Sequence, residues 1–252
     1  MRSYVDACDV ELFELKGREL PVAILGTSPF CGAGQFGSRA ELYYRTFYEH
    51  PQNMVRLIVA SAGLGVPAVH VVAYPRICWA VAEASRACDI KLCVLGTVGL
   101  LDPMDELKLL LSLGAVGVAV HADIVDRDPS SVERYAEAIR EGGAAVGAAT
   151  HRPWKTLSRI RELDLDFVMA PVNKSGYMMG PRPGETLELL RSLKVPIIAI
   201  KPLAAGGLRP EEAFEFLSSR VDAVAVGIAS EEELIETWRA VKEHFTRRGG
   251  TW

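Results

Sequence analysis

A lysine follows an apolar run in the C-terminal quarter of the chain. The segment IIAIKPLAAGGL, residues 197–208, places Lys201 between branched apolar residues and a loop of small residues with two glycines. A buried cation is costly unless it is paired or has a function. Desolvation lowers the pKa of a lysine, and the neutral amine can then attack a carbonyl carbon. The sequence therefore leaves two roles open for Lys201, which are the binding of an anionic ligand and covalent chemistry.

Polar side chains also follow the other apolar runs, each close to the point where the run ends. Two imidazoles, at least one carboxylate and two lysines in one place would exceed what folding requires, so we interpret them as a functional cluster. The candidate catalytic residues are His121, Tyr74, Lys201 and Lys174, and the candidate contacts to a substrate or anion are His151, Arg152 and Tyr177.

Eight short apolar runs, rich in branched residues, alternate with helical patterns. Continuous rather than alternating apolarity is typical of strands covered on both faces, as in a parallel sheet. The alternation predicts a (β/α)8 (TIM) barrel, whose active site lies at the C-terminal ends of its strands. No Pro-, Gly- or Ser-rich linker divides the chain, so we expect one domain over residues 1–252. The runs are residues 21–25, 68–73, 91–96, 116–121, 144–149, 166–171, 196–201 and 222–227.

Two segments depart from a plain barrel. Residues 10–20 predict a short β-hairpin ahead of the first barrel strand, with its turn at a Lys-Gly pair. An extra segment, residues 32–50, separates the first strand from the next long helix, and its Tyr44, Phe47 and Tyr48 would share one helix face. Because it follows a strand at the catalytic end, this segment either packs its aromatic face on the barrel rim or covers a ligand.

Two glycine-containing loops follow the seventh and eighth strands, at residues 204–208 and 227–233. In many barrels these loops bind phosphate through backbone N–H groups and a helix N-terminus. Three acids, residues 231–233, would repel a phosphate that they faced. An anion or nucleotide site and a plain strand-to-helix turn are both consistent with the pattern. The residues that would bind the anion or cofactor are Ala205, Gly206, Gly207, Gly227 and Ser230.

The composition limits the partners and the location. A formal net charge of −4 over 252 residues gives no reason to expect nucleic acid or an anionic membrane. No apolar run reaches the roughly 18 residues that cross a bilayer, and the start of the chain lacks a signal-peptide core, so we expect a cytoplasmic protein. The five cysteines lack CxxC spacing and are expected to be free thiols. Few thermolabile amides, two Asn and two Gln, indicate a thermophilic source. The expected partners are a small anionic or carbonyl ligand and, in a homo-oligomer, further copies of the chain.

Several segments resemble aldo-keto reductases. GRELPVAILGTSPFCG resembles the opening of that family with its N-terminal hairpin, and VGVAVHADIVD resembles its fourth strand with a terminal histidine. IAIKPLAAGGLRPEEAFEFLSS is similar to a KPLxGGxL variant of prokaryotic members, and the likeness is strongest over residues 144–236. The resemblance implies a barrel that binds NADP(H) across its mouth and reduces carbonyl compounds by hydride transfer, and no metal is expected.

The resemblance also implies a catalytic set of Asp, Tyr, Lys and His, of which the sequence keeps only a part. His121 falls at the position of the substrate-polarising His, and Tyr74 lies close to that of the Tyr. Val71 or Val72 stands at the place of the Asp, and Thr97 and Val98 stand at that of the Lys. Because the missing Lys and Asp lower the pKa of the Tyr, Tyr74 would be a poor acid near neutral pH.

The cofactor-binding positions are changed as well. The Ser that holds the nicotinamide amide in the family appears here as Ala149. The resemblance leaves Asn173 to help orient the nicotinamide and the loops 204–207 and 227–230 to hold the pyrophosphate. The leading interpretation is a divergent aldo-keto-reductase-like enzyme that reduces a small carbonyl compound with NADP(H).

Three other functions stay open. A lysine-dependent (Schiff-base) aldolase or lyase would act on a phosphorylated or anionic carbonyl compound, and KPLAAGGLRPEEAFEFL also resembles the lysine-and-glycine strand of deoxyribose-phosphate aldolase. A metal-assisted hydrolase would use His121, Asp123, His151 and Asp126, but the usual HxH of the first strand is missing. A non-catalytic ligand-binding barrel is the third.

Overall fold

A β-hairpin precedes the barrel in the computed structural model, which describes residues 2–248. Strands β1 (Leu12–Leu15) and β2 (Arg18–Pro21) pair antiparallel. The two residues between them have positive φ, 51° at Lys16 and 74° at Gly17, as two-residue hairpin turns require. Lys16 Nζ donates to Asp166 Oδ2 at 3.3 Å, just before a barrel strand begins, so the hairpin covers the N-terminal end of the barrel.

Eight parallel strands then close into a barrel in chain order, and the last pairs with the first. The apolar runs of the sequence form these strands because both faces of each are covered, and the expected (β/α)8 barrel is confirmed. The strands are β3 (Ala23–Gly26), β4 (Ala68–Val72), β5 (Cys93–Val98), β6 (Gly117–Val120), β7 (Ala145–Ala149), β8 (Phe167–Pro171), β9 (Ile197–Ile200) and β10 (Ala223–Gly227).

Within residues 2–248, ten α-helices connect or cover the strands. Proline occupies the first turn of most of the longer ones, where its missing N–H costs nothing. None of the helices within residues 2–248 combines the length and apolarity needed to span a bilayer. The helices are α1 (Ala40–Tyr43), α2 (Pro51–Gly63), α3 (Pro75–Ala87), α4 (Pro103–Ser112), α5 (Ala122–Val125), α6 (Glu133–Glu141), α7 (Pro153–Ile160), α8 (Pro183–Arg191), α9 (Pro210–Leu217) and α10 (Glu231–His244).

Large and small residues interlock inside the barrel. Phe167 is fully buried, and its ring lies over Gly147 of the neighbouring strand β7 and near Gly117 of β6. A side chain at Gly147 would overlap the Phe167 ring. The glycines within these apolar runs therefore make room for one aromatic residue, which fills the N-terminal part of the barrel and leaves its open space at the other end.

A buried carboxylate fixes the loop that follows β5. Glu106, on α4, is 2% exposed, and its two oxygens accept the backbone N–H groups of Gly99, Leu100 and Leu101. A carboxylate that accepts several N–H groups is stabilised although it is buried. Gly99 packs against the side chains of Ile124 and His121, so this anchor also supports the end of the next barrel strand.

Candidate active site

A cavity of about 140 Å³ opens at the C-terminal ends of the barrel strands. This volume is close to that of an apolar cavity known to hold a benzene-sized molecule. Its polar lining comes from five barrel strands or the residues just after them, from the segment after β3, and from the start of α10. The polar lining residues are Ser28, Gln35, Arg39, Tyr43, His70, Thr97, His121, His151, Lys201 and Glu233.

Lys201 lies in this cavity, directly after β9. Its Nζ donates a hydrogen bond to the side-chain oxygen of Gln35. Within residues 2–248 no carboxylate forms an ion pair with it. Burial lowers the pKa of Lys201 to about 8. The ammonium is therefore held by a neutral acceptor in a partly desolvated place, where the neutral amine is accessible near physiological pH.

The backbone around Lys201 is strained. Lys201, Ala204 and Ala205 have φ values of 55°, 48° and 58°, in the left-handed region that residues with a Cβ seldom occupy. Each such residue costs on the order of 1 kcal/mol or more, and such strain clusters at functional sites. Three such residues in one loop concentrate backbone strain directly after β9, beside the cavity.

Two imidazoles face Lys201 from neighbouring strand ends. The rings of His121 and His151 lie edge to face with centroids 5.4 Å apart. Burial lowers the pKa of both, and the Lys201 charge lowers it further, to about 4 for His151. The Asp123 N–H donates to His121 Nδ1 at 3.2 Å, so the ring proton of neutral His121 resides on Nε2. His121 is thus a neutral hydrogen-bond donor at pH 7.

A third imidazole closes the inner side of the cavity. His70, in β4, is 8% exposed, and its Nε2 lies 2.7 Å from Thr97 Oγ1 of β5. Burial, with a smaller effect of His121, lowers the pKa of His70 to about 4. The cavity therefore contains three neutral imidazoles beside one cationic amine.

The extra segment after β3 covers the cavity. Gln35, Phe36, Arg39 and Tyr43 all line it. Arg39 Nη2 donates to the Ala205 carbonyl at 2.7 Å, and the Phe36 and Tyr43 rings meet edge to face with centroids 5.2 Å apart. Together with the bond between Gln35 and Lys201, these contacts tie the segment to the loop after β9.

The aromatic residues that follow in the same segment pack on the barrel rim. Phe47 is buried against Phe30, with ring centroids 5.0 Å apart. Tyr44 and Tyr48 stack at 5.0 Å, and Tyr48 contacts Tyr74 edge to face at 6.1 Å. The turn from residue 44 to 48 is a π-helix, a form frequent at functional sites. The aromatic face therefore packs on the barrel rim, whereas the role of the segment as a cover over a ligand stays a prediction.

The loops after β9 and β10 are occupied by the chain's own side chains. A methyl group at Gly206 would lie 2.8 Å from the Arg39 guanidinium, and Phe36 lies against Gly227. At the start of α10, Ser230 Oγ accepts the Glu233 N–H at 3.1 Å, and Glu233 Oε2 accepts the Ala229 N–H at 2.9 Å. Ala205, Gly206 and Gly227 line the cavity, whereas Gly207 and Ser230 do not.

Comparisons with known proteins identify the fold. No family model and no curated protein matches the chain. A solved thermostable aldo-keto reductase, Tm1743 in complex with the inhibitor epalrestat, aligns with a TM-score of 0.64 at 17% identity over 91% of this chain and 93% of that one. AKR11C1 of Bacillus halodurans, in its holo form, aligns at 0.64 and 15% identity over 92% and 91%. The protein has the aldo-keto reductase fold.

Another barrel is also similar. A thiamine phosphate pyrophosphorylase from Pyrococcus furiosus aligns with a TM-score of 0.53 at 18% identity, over 76% of this chain and 91% of that one. At such identities a likeness shows the fold alone, and one barrel fold supports many reactions. The chemistry of this barrel must therefore be argued from its site.

Four of the seven candidate catalytic and substrate-contacting residues lie outside the cavity. Tyr74 is the N-cap residue just before α3 and packs against Tyr48, and burial raises its pKa, which makes it a weaker acid. Lys174 is not a neighbour of Lys201, because its Nζ pairs with Glu212 Oε1 at 2.6 Å on the surface. Arg152 and Tyr177 also do not line the cavity. Of the proposed catalytic residues, the structure brings together His121 and Lys201.

Asn173 serves the loop after β8 instead of facing a ligand. It is 1% exposed, and its Nδ2 donates to the carbonyls of Tyr177 at 2.9 Å and Lys201 at 3.3 Å. Its Oδ1 accepts from the Tyr177 N–H at 2.8 Å and from Ser175 Oγ at 3.0 Å. All of its hydrogen-bonding capacity is used, and it indirectly holds the strained backbone at Lys201.

The carboxylate of Asp126 is likewise structural. Its oxygens accept the Thr150 and Thr156 hydroxyls and the His151 N–H, so it orients the backbone after β7. Within residues 2–248, no group of three or more His, Cys, Asp or Glu side chains is arranged to hold a metal ion. The arrangement gives no support to the metal-assisted hydrolase.

Sequence reasoning missed the residues that reach the cavity from far along the chain. The segment after β3 supplies Gln35 and Arg39, and the start of α10 supplies Glu233. No local sequence pattern predicts that the side chains of these elements point into the cavity. His70 lies within the apolar run 68–73, and alternate residues of a barrel strand point inward. That alternation was the signal that could have found it.

Proposed function

We propose that the protein is an oxidoreductase of the aldo-keto reductase type that reduces a small carbonyl compound. The observation that carries the proposal is the presence of His121 and Lys201 in one small cavity at the strand ends. Reduction of a carbonyl needs a hydrogen bond to its oxygen and a proton for the alkoxide that forms. These two residues are suited to supply both.

In the proposed reaction His121 Nε2 donates a hydrogen bond to the substrate carbonyl oxygen. A neutral imidazole is adequate for this task because it polarises the carbonyl without having to release a proton. Lys201, with its pKa of about 8, is mostly protonated at pH 7 and gives its proton to the developing alkoxide. Lys201 would thus be the proton donor, a role that Tyr74 cannot fill because it lies outside the cavity.

NADP(H), when bound, would supply the hydride. The residues that would hold its phosphates are Arg39 and the backbone of Gly206 and Gly227, where any side chain would fill the space beside Arg39 or Pro29. Arg39 and Lys201 outnumber Glu233, the one carboxylate among the lining residues, by one charge, so the wall favours an anion. These residues fit a phosphate group. The cavity of about 140 Å³ is too small for a whole dinucleotide, so the segment after β3 would have to shift to admit one.

Titration with NADPH, followed by quenching of tryptophan fluorescence, tests this function. We expect a dissociation constant on the order of micromolar to tens of micromolar, in the range typical of enzyme ligands. Arg39→Ala and Lys201→Ala should weaken binding at least tenfold, because each removes one of the two cations of the cavity wall. Lys155→Ala, at an exposed position of α7, is the control. If millimolar NADPH leaves the fluorescence unchanged, the proposed reduction is wrong.

A further inference from the structure

The surroundings of Lys201 suit a nucleophile. Its side-chain partner, the Gln35 oxygen, is a hydrogen-bond acceptor and can accept from an ammonium and from a neutral amine alike. A carboxylate partner would instead stabilise the ammonium and suppress the amine. Ile200, Pro202 and Leu203 add apolar wall on either side of it. Lys201 can therefore lose its proton and keep its hydrogen bond to Gln35.

The groups that face Lys201 can also move protons. His121 follows β6 and His151 follows β7, and both are neutral because burial, with a smaller effect of the Lys201 charge, lowers their pKa. A neutral imidazole can take a proton from an attacking amine and return it to a leaving oxygen. The titratable and charged groups that line the cavity with Lys201 are His70, His121, His151, Arg39, Tyr43 and Glu233.

We propose that Lys201 forms a covalent imine with a small aldehyde or ketone in the closed cavity, without a nicotinamide cofactor. The neutral amine attacks the carbonyl carbon and forms a C–N bond. The carbonyl oxygen takes up two protons, both of which come from the attacking nitrogen by way of an imidazole or water, and it leaves as water when the C=N bond forms. The balance is amine plus carbonyl compound to imine plus water, and no oxidant or reductant is consumed.

The pH range follows from the same burial. With a pKa of about 8 instead of the ordinary 10.5, the neutral fraction of Lys201 at pH 7 is about 300-fold larger than that of an exposed lysine. Lys201 should therefore react selectively at neutral pH, and its rate should rise with pH until it levels off above about pH 8. An exposed lysine would keep gaining up to about pH 10.5.

The size of the cavity sets the substrate class. A volume of about 140 Å³ admits a molecule of roughly six non-hydrogen atoms, the size of benzene. Once Lys201 has lost its proton, the charges of Arg39 and Glu233 balance, so the cavity wall no longer favours an anionic ligand over a neutral one. Dihydroxyacetone and pyruvate have this size, and one is neutral whereas the other is an anion.

Reductive trapping of the full-length protein tests the inference. The protein is incubated at pH 7 with dihydroxyacetone or pyruvate and sodium cyanoborohydride, without NADPH, and the modified peptides are identified by mass spectrometry. We expect an adduct on Lys201, with the mass of the carbonyl compound less one oxygen, that forms at least tenfold faster than on Lys155 for at least one of the two compounds. Lys201→Arg should abolish this adduct, whereas Lys155→Arg should leave it unchanged, and circular dichroism checks that both variants are folded.

Equal labelling of Lys201 and Lys155 with both compounds, or a fast adduct that survives in Lys201→Arg, would overturn the inference. The outcome is independent of the proposed reduction. If the protein binds NADPH but no adduct is trapped, the proposed reduction stands and the imine is ruled out. If an adduct is trapped but NADPH does not bind, the imine stands and the proposed reduction is ruled out.

Discussion

Replacing Lys201 with methionine should lower the turnover number for a small carbonyl substrate by about 10³-fold, within the range that a positioned proton donor contributes. Lys201→Arg should lower the turnover number nearly as much, because a guanidinium keeps the charge but does not release a proton near neutral pH. The Michaelis constant should change much less than the turnover number. A kinetic screen of both variants against the native protein, over pH 6 to 9, measures these effects.

The same methionine variant should be more stable than the native protein at pH 7. The folded-state pKa of Lys201 is about 8 and its ordinary value 10.5, so the ammonium destabilises the folded state by on the order of 3 kcal/mol below pH 8. This cost fades as the pH rises from 8 towards 10.5, where the unfolded chain also loses the proton. A gain in the free energy of unfolding together with lost activity would show that Lys201 is kept for chemistry. If the variant is both active and less stable, the lysine is structural.

Glu106→Ala should lower the free energy of unfolding by about 3–5 kcal/mol, because each buried donor left without an acceptor costs on the order of 1–3 kcal/mol. Three backbone N–H groups, those of Gly99, Leu100 and Leu101, would lose their acceptor in a place where Glu106 is 2% exposed. For a chain of this size the melting temperature should fall by roughly 10 °C. Thermal unfolding followed by circular dichroism measures it.

Activity should fall with stability in this variant, even well below its melting temperature. Gly99 lies against His121, so a loosened loop after β5 would disturb the hydrogen-bond donor of the site. Glu188→Ala, which removes an exposed ion pair with Arg191, is the matched control and should change stability by less than about 1 kcal/mol. A Glu106→Ala variant as stable as this control would show that the carboxylate does not hold the loop.

The architecture could be predicted from local patterns. Each barrel strand is a short apolar run covered on both faces. Its local composition is therefore enough to predict that it is buried, without knowledge of the rest of the chain. The predicted positions of His121 and Lys201 at the barrel mouth have the same basis, since each is the last residue of such a run. The hairpin turn was predictable because Gly17 adopts a positive φ without steric cost.

The direction of side chains and the contacts between distant segments could not be predicted in this way. Lys174 lies only three residues beyond its strand, yet it turns to the surface because Glu212 of α9 pairs with it there. Tyr74 is drawn to the aromatic residues of the covering segment. Gln35 and Arg39 reach the site through contacts with Lys201 and Ala205, each 166 residues away along the chain. Such pairings depend on the tertiary structure and cannot be predicted from local composition.

Both proposed reactions depend on one property of the cavity, which is that Lys201 titrates close to neutral pH. The most direct test is an NMR titration of the protein labelled with carbon-13 at the lysine ε positions, with the Lys201 signal assigned by its loss in Lys201→Arg. The structure predicts a midpoint near pH 8, caused by burial without a carboxylate partner. A midpoint above pH 10, together with the exposed lysines, would contradict the account, because Lys201 would then be a solvated surface cation and neither a proton donor nor a nucleophile at pH 7.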